Sequence, residues 1–165
     1  MFDPRHGEHA EFVPLLKWLY DHPRTSMVMG GRTYQVEMSH LPKYWDVLVE
    51  LKRRRKLSMI DDDVVDAEEG RLKAAVSNTD FDDAHIVALV CASGCVIVAS
   101  HDKRADPYLK DKSLYPKNQS PPSIYRLARH EDLLQDERIV SLRNTVTRDP
   151  VAAMRAIRAD RLRKK

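Results

Sequence analysis

The segment from residue 80 to residue 104 constrains the fold more than any other part of the chain. It reads DFDDAHIVALVCASGCVIVASHDKR, an apolar run at helical spacing followed by Ser93-Gly94 and by the β-branched residues 96–98. A helix that is apolar nearly all round is expected to be buried, and a short β-branched run predicts a buried strand. The segment therefore predicts a buried helix, a tight turn at the glycine and a strand against which the helix packs.

Carboxylates stand at both ends of this segment. Asp80, Asp82 and Asp83 precede the helix, and Asp102 follows the strand. Ligands of open α/β sheets bind outside the carboxyl ends of the strands, and hard divalent cations take oxygen ligands. Capping of the helix requires only one carboxylate. The cluster predicts a divalent-cation site, with helix capping and solvation as the alternative.

Length and composition indicate an ordinary α/β domain without a membrane span. The chain has 165 residues, of which 42% are hydrophobic and 32% charged, which suits one compact domain. No apolar run approaches the roughly 18–20 residues that cross a bilayer, and the N-terminal residues lack a signal-peptide pattern. We therefore expect a cytoplasmic protein. Cys91 and Cys95 have no second pair to complete a zinc site, so we expect buried free thiols.

Charge divides the chain into two regions. Residues 137–165 contain nine Lys or Arg and three Asp or Glu, a net charge of +6, so residues 1–136 carry −3 of the total of +3. We interpret residues 1–136 as the domain and residues 137–165 as a basic C-terminal tail that is partly helical. Asp149-Pro150 predicts the start of that helix. The tail is expected to contact RNA or an acidic partner, with a plain solvated helix as the alternative. Its apolar stripe either rests on the domain or leaves the tail mobile.

Helical and strand patterns alternate along the rest of the chain. The sequence predicts helices over 8–22, 32–56 (interrupted by Pro42), 61–76, 107–111 and 129–134, and strands over 25–29, 57–60 and 123–127. The triplet Asp61-Asp62-Asp63 is interpreted as an N-terminal cap cluster without chemistry. Strands that alternate with helices predict a parallel sheet covered on both faces.

Three motifs together resemble the PIN-domain family of small metal-dependent nucleases. They are VMGGRTYQVEM at 28–38, DFDDAHIVAL at 80–89 and VIVASHDKR at 96–104. The resemblance covers residues 27–106 and implies a three-layer α/β/α fold with a central parallel sheet. It also implies that Glu37, Asp83 and Asp102 are catalytic and metal-binding, with Asp82 and Asp106 as neighbouring or substitute ligands. One departure is that no apolar strand ending in Asp precedes the first helix, so the PIN-like domain is expected to be N-terminally shortened.

The resemblance implies a metal-dependent endoribonuclease that hydrolyses RNA phosphodiester bonds with Mg²⁺ or Mn²⁺. Arg32, Lys103 and Arg104 are then expected to contact phosphates. His85 and His101 flank the proposed site, either as phosphate ligands or as hydrogen-bonded structural residues. A toxin of a toxin–antitoxin pair or a defence component would fit, with RNA as substrate, an antitoxin or other protein as partner, and a homodimer as an assembly.

Two other interpretations remain open. The first is a catalytically impaired PIN-like module that binds RNA or another protein, which the absent first ligand favours. The second is an unrelated α/β domain of the receiver type, in which the acidic cluster binds Mg²⁺ for a different chemistry. That second interpretation needs a lysine at the end of a later strand, and the strand predicted over 123–127 offers none.

Overall fold

A computed structural model describes residues 7–41, 44–76 and 81–163, and within these ranges helices and short strands alternate. The helices are α1 (His9–Asp21), α2 (Arg32–Ser39), α3 (Trp45–Arg53), α4 (Asp62–Ala75), α5 (Ala84–Ser93), α6 (Asp106–Lys110) and α7 (Pro150–Arg163). The strands are β1 (Met27–Met29), β2 (Leu57–Ile60), β3 (Ile97–Ala99), β4 (Ser123–Tyr125) and β5 (Thr145–Val146). The expected α/β class is confirmed. Pro42 and Asp80 lie outside the described residues.

The strands form two separate small sheets instead of the single sheet that the sequence predicts. In the first sheet β1 pairs in parallel with β2, with Met27 opposite Leu57, and β5 adds to β2 in antiparallel orientation. In the second sheet β3 pairs in parallel with β4, with Ile97 opposite Ser123. Each sheet therefore contains one of the parallel pairs that a larger parallel sheet would contain.

The helix ends match the capping signals in the sequence. The Asp61 side chain accepts a hydrogen bond from the Asp63 N–H at 2.9 Å and caps α4. The Asp149 side chain accepts one from the Val151 N–H at 3.0 Å at the start of α7. Helix α5 ends at Gly94, whose φ of 75° is left-handed, as helix-terminating glycines commonly are.

Two clusters of buried side chains form the core. The larger one joins α4, α5 and the segment around Leu109–Tyr115, and α5 is buried along nearly its whole length, as its composition predicts. The smaller one joins β1, β2 and α3 to α7 through Val151 and Met154. The apolar stripe of the basic C-terminal region therefore rests on the domain.

The cysteines are both free. Cys91 is buried, and burial raises the pKa of its thiol to about 11. Cys95 is half-buried, and desolvation raises its thiol pKa as well. Both thiols are protonated at neutral pH, which fits packing groups and not metal-binding or nucleophilic ones.

Candidate functional site

A cavity of about 470 Å³ lies between β1 and β3. Val28 lines it from β1, and Ile97 and Ala99 line it from β3. Apolar side chains of the flanking helices complete the wall, among them Leu15 and Leu19 of α1 and Ile86, Leu89 and Val90 of α5. Because β1 and β3 each lie at an edge of their sheet, two sheet edges bound the cavity, together with residues of α1, α2, α5 and α6 and of the segment 138–142.

The volume of this cavity is too large for a packing defect. Voids in protein interiors seldom exceed the size of a water molecule. The cavity therefore has the size of a binding site.

Three of the carboxylates predicted from the sequence line this one cavity: Glu37, Asp83 and Asp102. Glu37 lies on α2, which is joined to β1 through Gly30 and Gly31. Asp102 comes soon after β3. Both carboxylates are thus carried by the chain just beyond the carboxyl ends of the two edge strands, where ligands of α/β sheets bind.

The two glycines let the chain turn sharply from β1 into α2. A Cβ on Gly30 would lie 2.8 Å from the Ile60 carbonyl oxygen. Gly31 has a φ of 81°, and a Cβ there would lie 2.6 Å from Val65 Cγ1. Only glycine fits both positions without displacing β2 and α4. The turn thereby fixes where α2 presents Glu37.

Asp83 occupies the N-cap position of α5, yet its side chain makes no capping hydrogen bond. Burial, followed by repulsion from the carboxylates of Asp82 and Asp102, raises the pKa of Asp83, while His85 and Arg104 act in the opposite direction. Capping therefore does not explain Asp83. The carboxylate lies among like charges, the condition under which a bound cation is favoured.

Asp102 is held by a neighbouring guanidinium. Nη2 of Arg104 lies 2.7 Å from Oδ2 of Asp102, and Nη1 lies 3.9 Å from Oδ2 of Asp82. The side chain of Arg104 and then its backbone N–H lower the pKa of Asp102. Arg104, predicted as a phosphate contact, therefore bridges two of the predicted metal-binding carboxylates.

His85 is a buried polar group in the wall of the cavity. Its side chain is 3% exposed, and Nε2 lies 3.2 Å from Oε2 of Glu37, although the atoms are not aligned for a hydrogen bond. Among the described residues, neither ring nitrogen has a hydrogen-bond partner. His101 Nε2 also lacks one in the described part of the chain and lies 3.7 Å from Oε2 of Glu8. Within these ranges, no hydrogen bond at either Nε2 atom supports the structural alternative.

Tyr34 is an aromatic neighbour of His85. The two ring centroids are 6.3 Å apart, and both side chains line the cavity. Burial and then the charge of Glu37 raise the pKa of Tyr34 to about 12, so its hydroxyl stays protonated at neutral pH. Sequence reasoning did not single out Tyr34, because an aromatic residue in a short amphipathic helix is usually a core residue.

Asp106 and Arg32, two other predicted site residues, form ion pairs with side chains outside the cavity. Asp106 does not line the cavity, and Arg126 is the main cause that lowers its carboxyl pKa, with Nη2 of Arg126 2.5 Å from Oδ1. Arg32 is paired with Asp63 at 2.7 Å and with Asp66. A phosphate at Arg32 would have to compete with these carboxylates. Lys103 is exposed.

The interpretation of Asp61-Asp62-Asp63 as a cap cluster is wrong for Asp62. This residue is only 7% exposed, and its carboxylate accepts hydrogen bonds from the Gly31 N–H at 3.0 Å and from Nε2 of Gln35. It also forms an ion pair with Arg148. Asp62 therefore ties the Gly30-Gly31 turn, α2 and the segment before α7 together. A run of three aspartates gives no signal that the middle one is buried.

The donor chemistry of Glu37, Asp83 and Asp102 fits Mg²⁺, which binds through one or two carboxylates and keeps several waters. Their arrangement does not form a complete ligand set, since in the described ranges no three His, Cys, Asp or Glu side chains are grouped to hold a metal. Asp102 would have to exchange Arg104 for the ion. The residues present thus fit the metal in chemistry and only in part in geometry.

Within the described part of the chain, no helix combines the length and apolarity needed to cross a membrane. Comparison of the sequence with protein-family models, of the chain with curated proteins, and of the fold with solved structures found no match. The case for a function therefore depends on the cavity and on its carboxylates.

Proposed function

We infer that this chain is a PIN-like, metal-dependent endoribonuclease with a three-layer α/β/α fold. The observation that supports this function is that Glu37, Asp83 and Asp102 line one cavity beyond the carboxyl ends of β1 and β3. These residues come from three distant parts of the sequence. Side chains of like charge are brought together at some cost, which a bound cation would offset.

The residues of the site divide into three roles. Asp83 and Asp102 would hold Mg²⁺ or Mn²⁺, which would supply positive charge near a phosphoryl oxygen and lower the pKa of water. Glu37 lies 3.2 Å from His85 and orients the attacking water. Arg104 and Lys103 bind the phosphate of the RNA. Arg104 is paired with Asp102 at 2.7 Å and would give up this pairing to bind the phosphate.

The test is cleavage of a labelled single-stranded RNA by the full chain in the presence of Mn²⁺. We expect Asp83→Asn with Asp102→Asn to abolish cleavage, because the double variant removes two ligands. The matched control is Asp46→Asn with Asp132→Asn, two carboxylates that do not line the cavity. Cleavage that is equal in wild type and in the Asp83/Asp102 variant would overturn the assignment.

The second candidate function is a PIN-like module that binds RNA or a protein such as an antitoxin without cleaving RNA. The pairing of Asp102 with Arg104 and the incomplete ligand set among the described residues favour it. In the same assay this module would bind the RNA and leave it intact, with wild type and both double variants giving the same uncut product.

A further inference from the structure

The edge of β3 that faces the cavity presents backbone groups that β4 does not use. Ser123 donates its N–H to the Val96 carbonyl oxygen at 2.8 Å, and Ser100 donates its own to Tyr125 at 3.1 Å. Alternate residues of a strand direct their N–H and C=O to opposite edges. Val96, Val98 and Ser100 therefore face β4, and Ile97 and Ala99 direct their backbone groups toward the cavity.

The same reasoning applies to β1. Met27 donates its N–H to the Lys56 carbonyl oxygen at 2.8 Å, so Met27 and Met29 face β2. Val28 then directs its N–H and C=O toward the cavity that it lines. Within the described ranges, no strand pairs with either edge here. Edges of this kind are templates for an added strand.

The walls of the cavity specify what such a strand must look like. Helices α1 and α5 both supply aliphatic side chains, among them Leu15, Leu19, Ile86 and Leu89. A strand covered on both faces is a continuous apolar run without polar alternation. Strands β1 and β3 have three residues each, so an added strand that also spans their flanks needs about five residues at ~3.3 Å each.

Charge at one end of the cavity determines which residue should come after the apolar run. Glu37, Asp83 and Asp102 line that end, with Asp82 close to Asp83. The side chain of Glu37 is 56% exposed and accessible to a new partner. Asp102 would exchange its pairing with Arg104 for the new partner. Such a cluster attracts a cationic side chain on an incoming segment.

We propose that the cavity between β1 and β3 binds an extended segment of another polypeptide, with about five consecutive aliphatic residues followed by a lysine or arginine. The segment hydrogen-bonds to Val28 on one side and to Ile97 and Ala99 on the other, and it joins the two sheets into one. This is strand addition, in which main-chain hydrogen bonds supply affinity and side-chain pockets supply specificity. It does not depend on catalysis.

A strand explains more of the geometry than a small apolar ligand does. A small apolar ligand would fill volume but offer no hydrogen bonds to the inward-facing N–H and C=O groups of Val28 and Ala99. An extended backbone satisfies both edges and fills the space between α1 and α5. The ring of His85, which finds no hydrogen-bond partner among the residues that the structure describes, adds a hydrogen-bonding group in the wall for the end of the same segment.

The test uses the full chain and a fluorescent, capped peptide with about five alternating Val and Ile residues followed by lysines. A second peptide has the same side chains and N-methyl groups on every backbone nitrogen of the apolar run, so it offers similar apolar surface but no N–H donor to either edge. A third replaces the lysines with glutamates. Anisotropy measures affinity, and NMR hydrogen exchange monitors the amides of Val28 and Ala99.

We expect saturable binding of the first peptide, with binding at least about tenfold weaker for the N-methylated and glutamate peptides. The amides of Val28 and Ala99 should gain protection. Ala99→Pro removes the inward N–H and leaves the β3–β4 bonds intact, so it should weaken binding at least about tenfold. The matched variant Ala99→Val keeps that N–H and should bind within about twofold.

Three outcomes would overturn the proposal. Equal binding of the N-methylated peptide would make the cavity a site for small apolar ligands. Protection of Val28 and Ala99 in a dimer without peptide would assign the cavity to a second copy of this chain. Absence of protection in the wild-type complex would show that the peptide binds elsewhere, and this readout decides the matter even if Ala99→Pro does not fold.

Discussion

Asp83 and Asp102 line the same cavity, yet their surroundings shift their carboxyl pKa values in opposite directions. Burial and the charges of Asp82 and Asp102 raise the pKa of Asp83. Arg104 lowers the pKa of Asp102. The native state therefore holds the proton of Asp83 more tightly than the unfolded chain does, and that of Asp102 less tightly. Ionisation of Asp83 destabilises the fold as the pH rises past 3.8, the unfolded-state value, and ionisation of Asp102 stabilises it.

We expect Asp83→Asn to raise the midpoint of thermal unfolding at neutral pH. The gain in the free energy of unfolding should be less than about 1 kcal/mol, because solvent screens the charges. The gain should vanish below pH 3.8. Asp102→Asn should lower the midpoint at neutral pH, and this loss should fade as the pH falls through the folded-state pKa. Circular dichroism melts of both variants across this pH range measure the two effects. A lower midpoint for Asp83→Asn at neutral pH would contradict the pKa direction.

The turn between β1 and α2 supplies a second test at the scale of single residues. Gly31→Ala should destabilise the fold by about 1–3 kcal/mol, because an L-residue is strained at its φ of 81° and meets Val65 Cγ1. Gly70→Ala is the matched control, since a Cβ there meets nothing within 4 Å. It lies inside α4 and should stabilise the fold by about 0.5–1 kcal/mol. Urea unfolding of both variants gives the comparison, and equal effects would argue against the turn geometry.

Sequence reasoning located the carboxylates at the cavity but not the contacts that set their chemistry. Asp83 and Asp102 were identifiable from their place before a helix and after a strand, and Glu37 from the resemblance to the PIN-domain motifs. The burial of Asp62, the burial of the His85 ring and the pairing of Arg104 depend on contacts that the spacing of residues along the chain does not specify. No local pattern encodes them.

At the scale of elements, α7 shows what a sequence can predict and what it cannot. Asp149-Pro150 marks its start, and the structure has a helix from Pro150 with Asp149 as the cap. The sequence does not predict whether α7 packs on the domain, because a modest apolar stripe is compatible with a packed helix and with a solvated one. Strand β5 was missed because two exposed residues have no periodicity.

Packing of α7 should be measurable by truncating its buried methionine. Met154 is fully buried among β1, β2 and α3, so Met154→Ala should cost about 2–5 kcal/mol. Leu162 on the same helix is 64% exposed, and Leu162→Ala should change stability by less than about 0.5 kcal/mol. Chemical denaturation compares the two. If both variants were neutral, α7 would not be part of the folded core.

The exposed side of α7 carries arginines that suit a polyanion. Arg155 and Arg163 are exposed, and Arg158 lies 5.5 Å from the Trp45 ring. We expect Arg155→Gln with Arg163→Gln to weaken RNA binding and to reduce the slope of log affinity against log salt by up to about 1.4. The packing of Met154 stays intact in this variant, which deletion of the tail would not allow. An unchanged slope would show that these arginines of α7 do not contact RNA.

At the scale of the whole molecule, the division of the strands into two sheets is the feature that sequence could not supply. Each of the strands β1 to β4 was located within about two residues, as for β1 at Met27–Met29 and β2 at Leu57–Ile60. Pairing between strands is a long-range choice, and a strand buried on both faces has the same apolar pattern whether it lies at an edge or in the centre. The cavity between β1 and β3 results from that choice.

Metal binding to the whole molecule should be visible as a gain in stability, independently of any cleavage. A ligand that binds only the folded state adds RT ln(1 + [L]/Kd), about 2.7 kcal/mol at a hundredfold excess over Kd. For a domain of this size that gain is roughly 5–10 °C in Tm. We expect Mn²⁺ to raise Tm in this way for wild type and for Asp46→Asn with Asp132→Asn. Asp83→Asn with Asp102→Asn should not respond, because it lacks two of the oxygen ligands that line the cavity. An equal rise in all three proteins would place the ion elsewhere, and no rise in any of them would favour the module that binds without a metal.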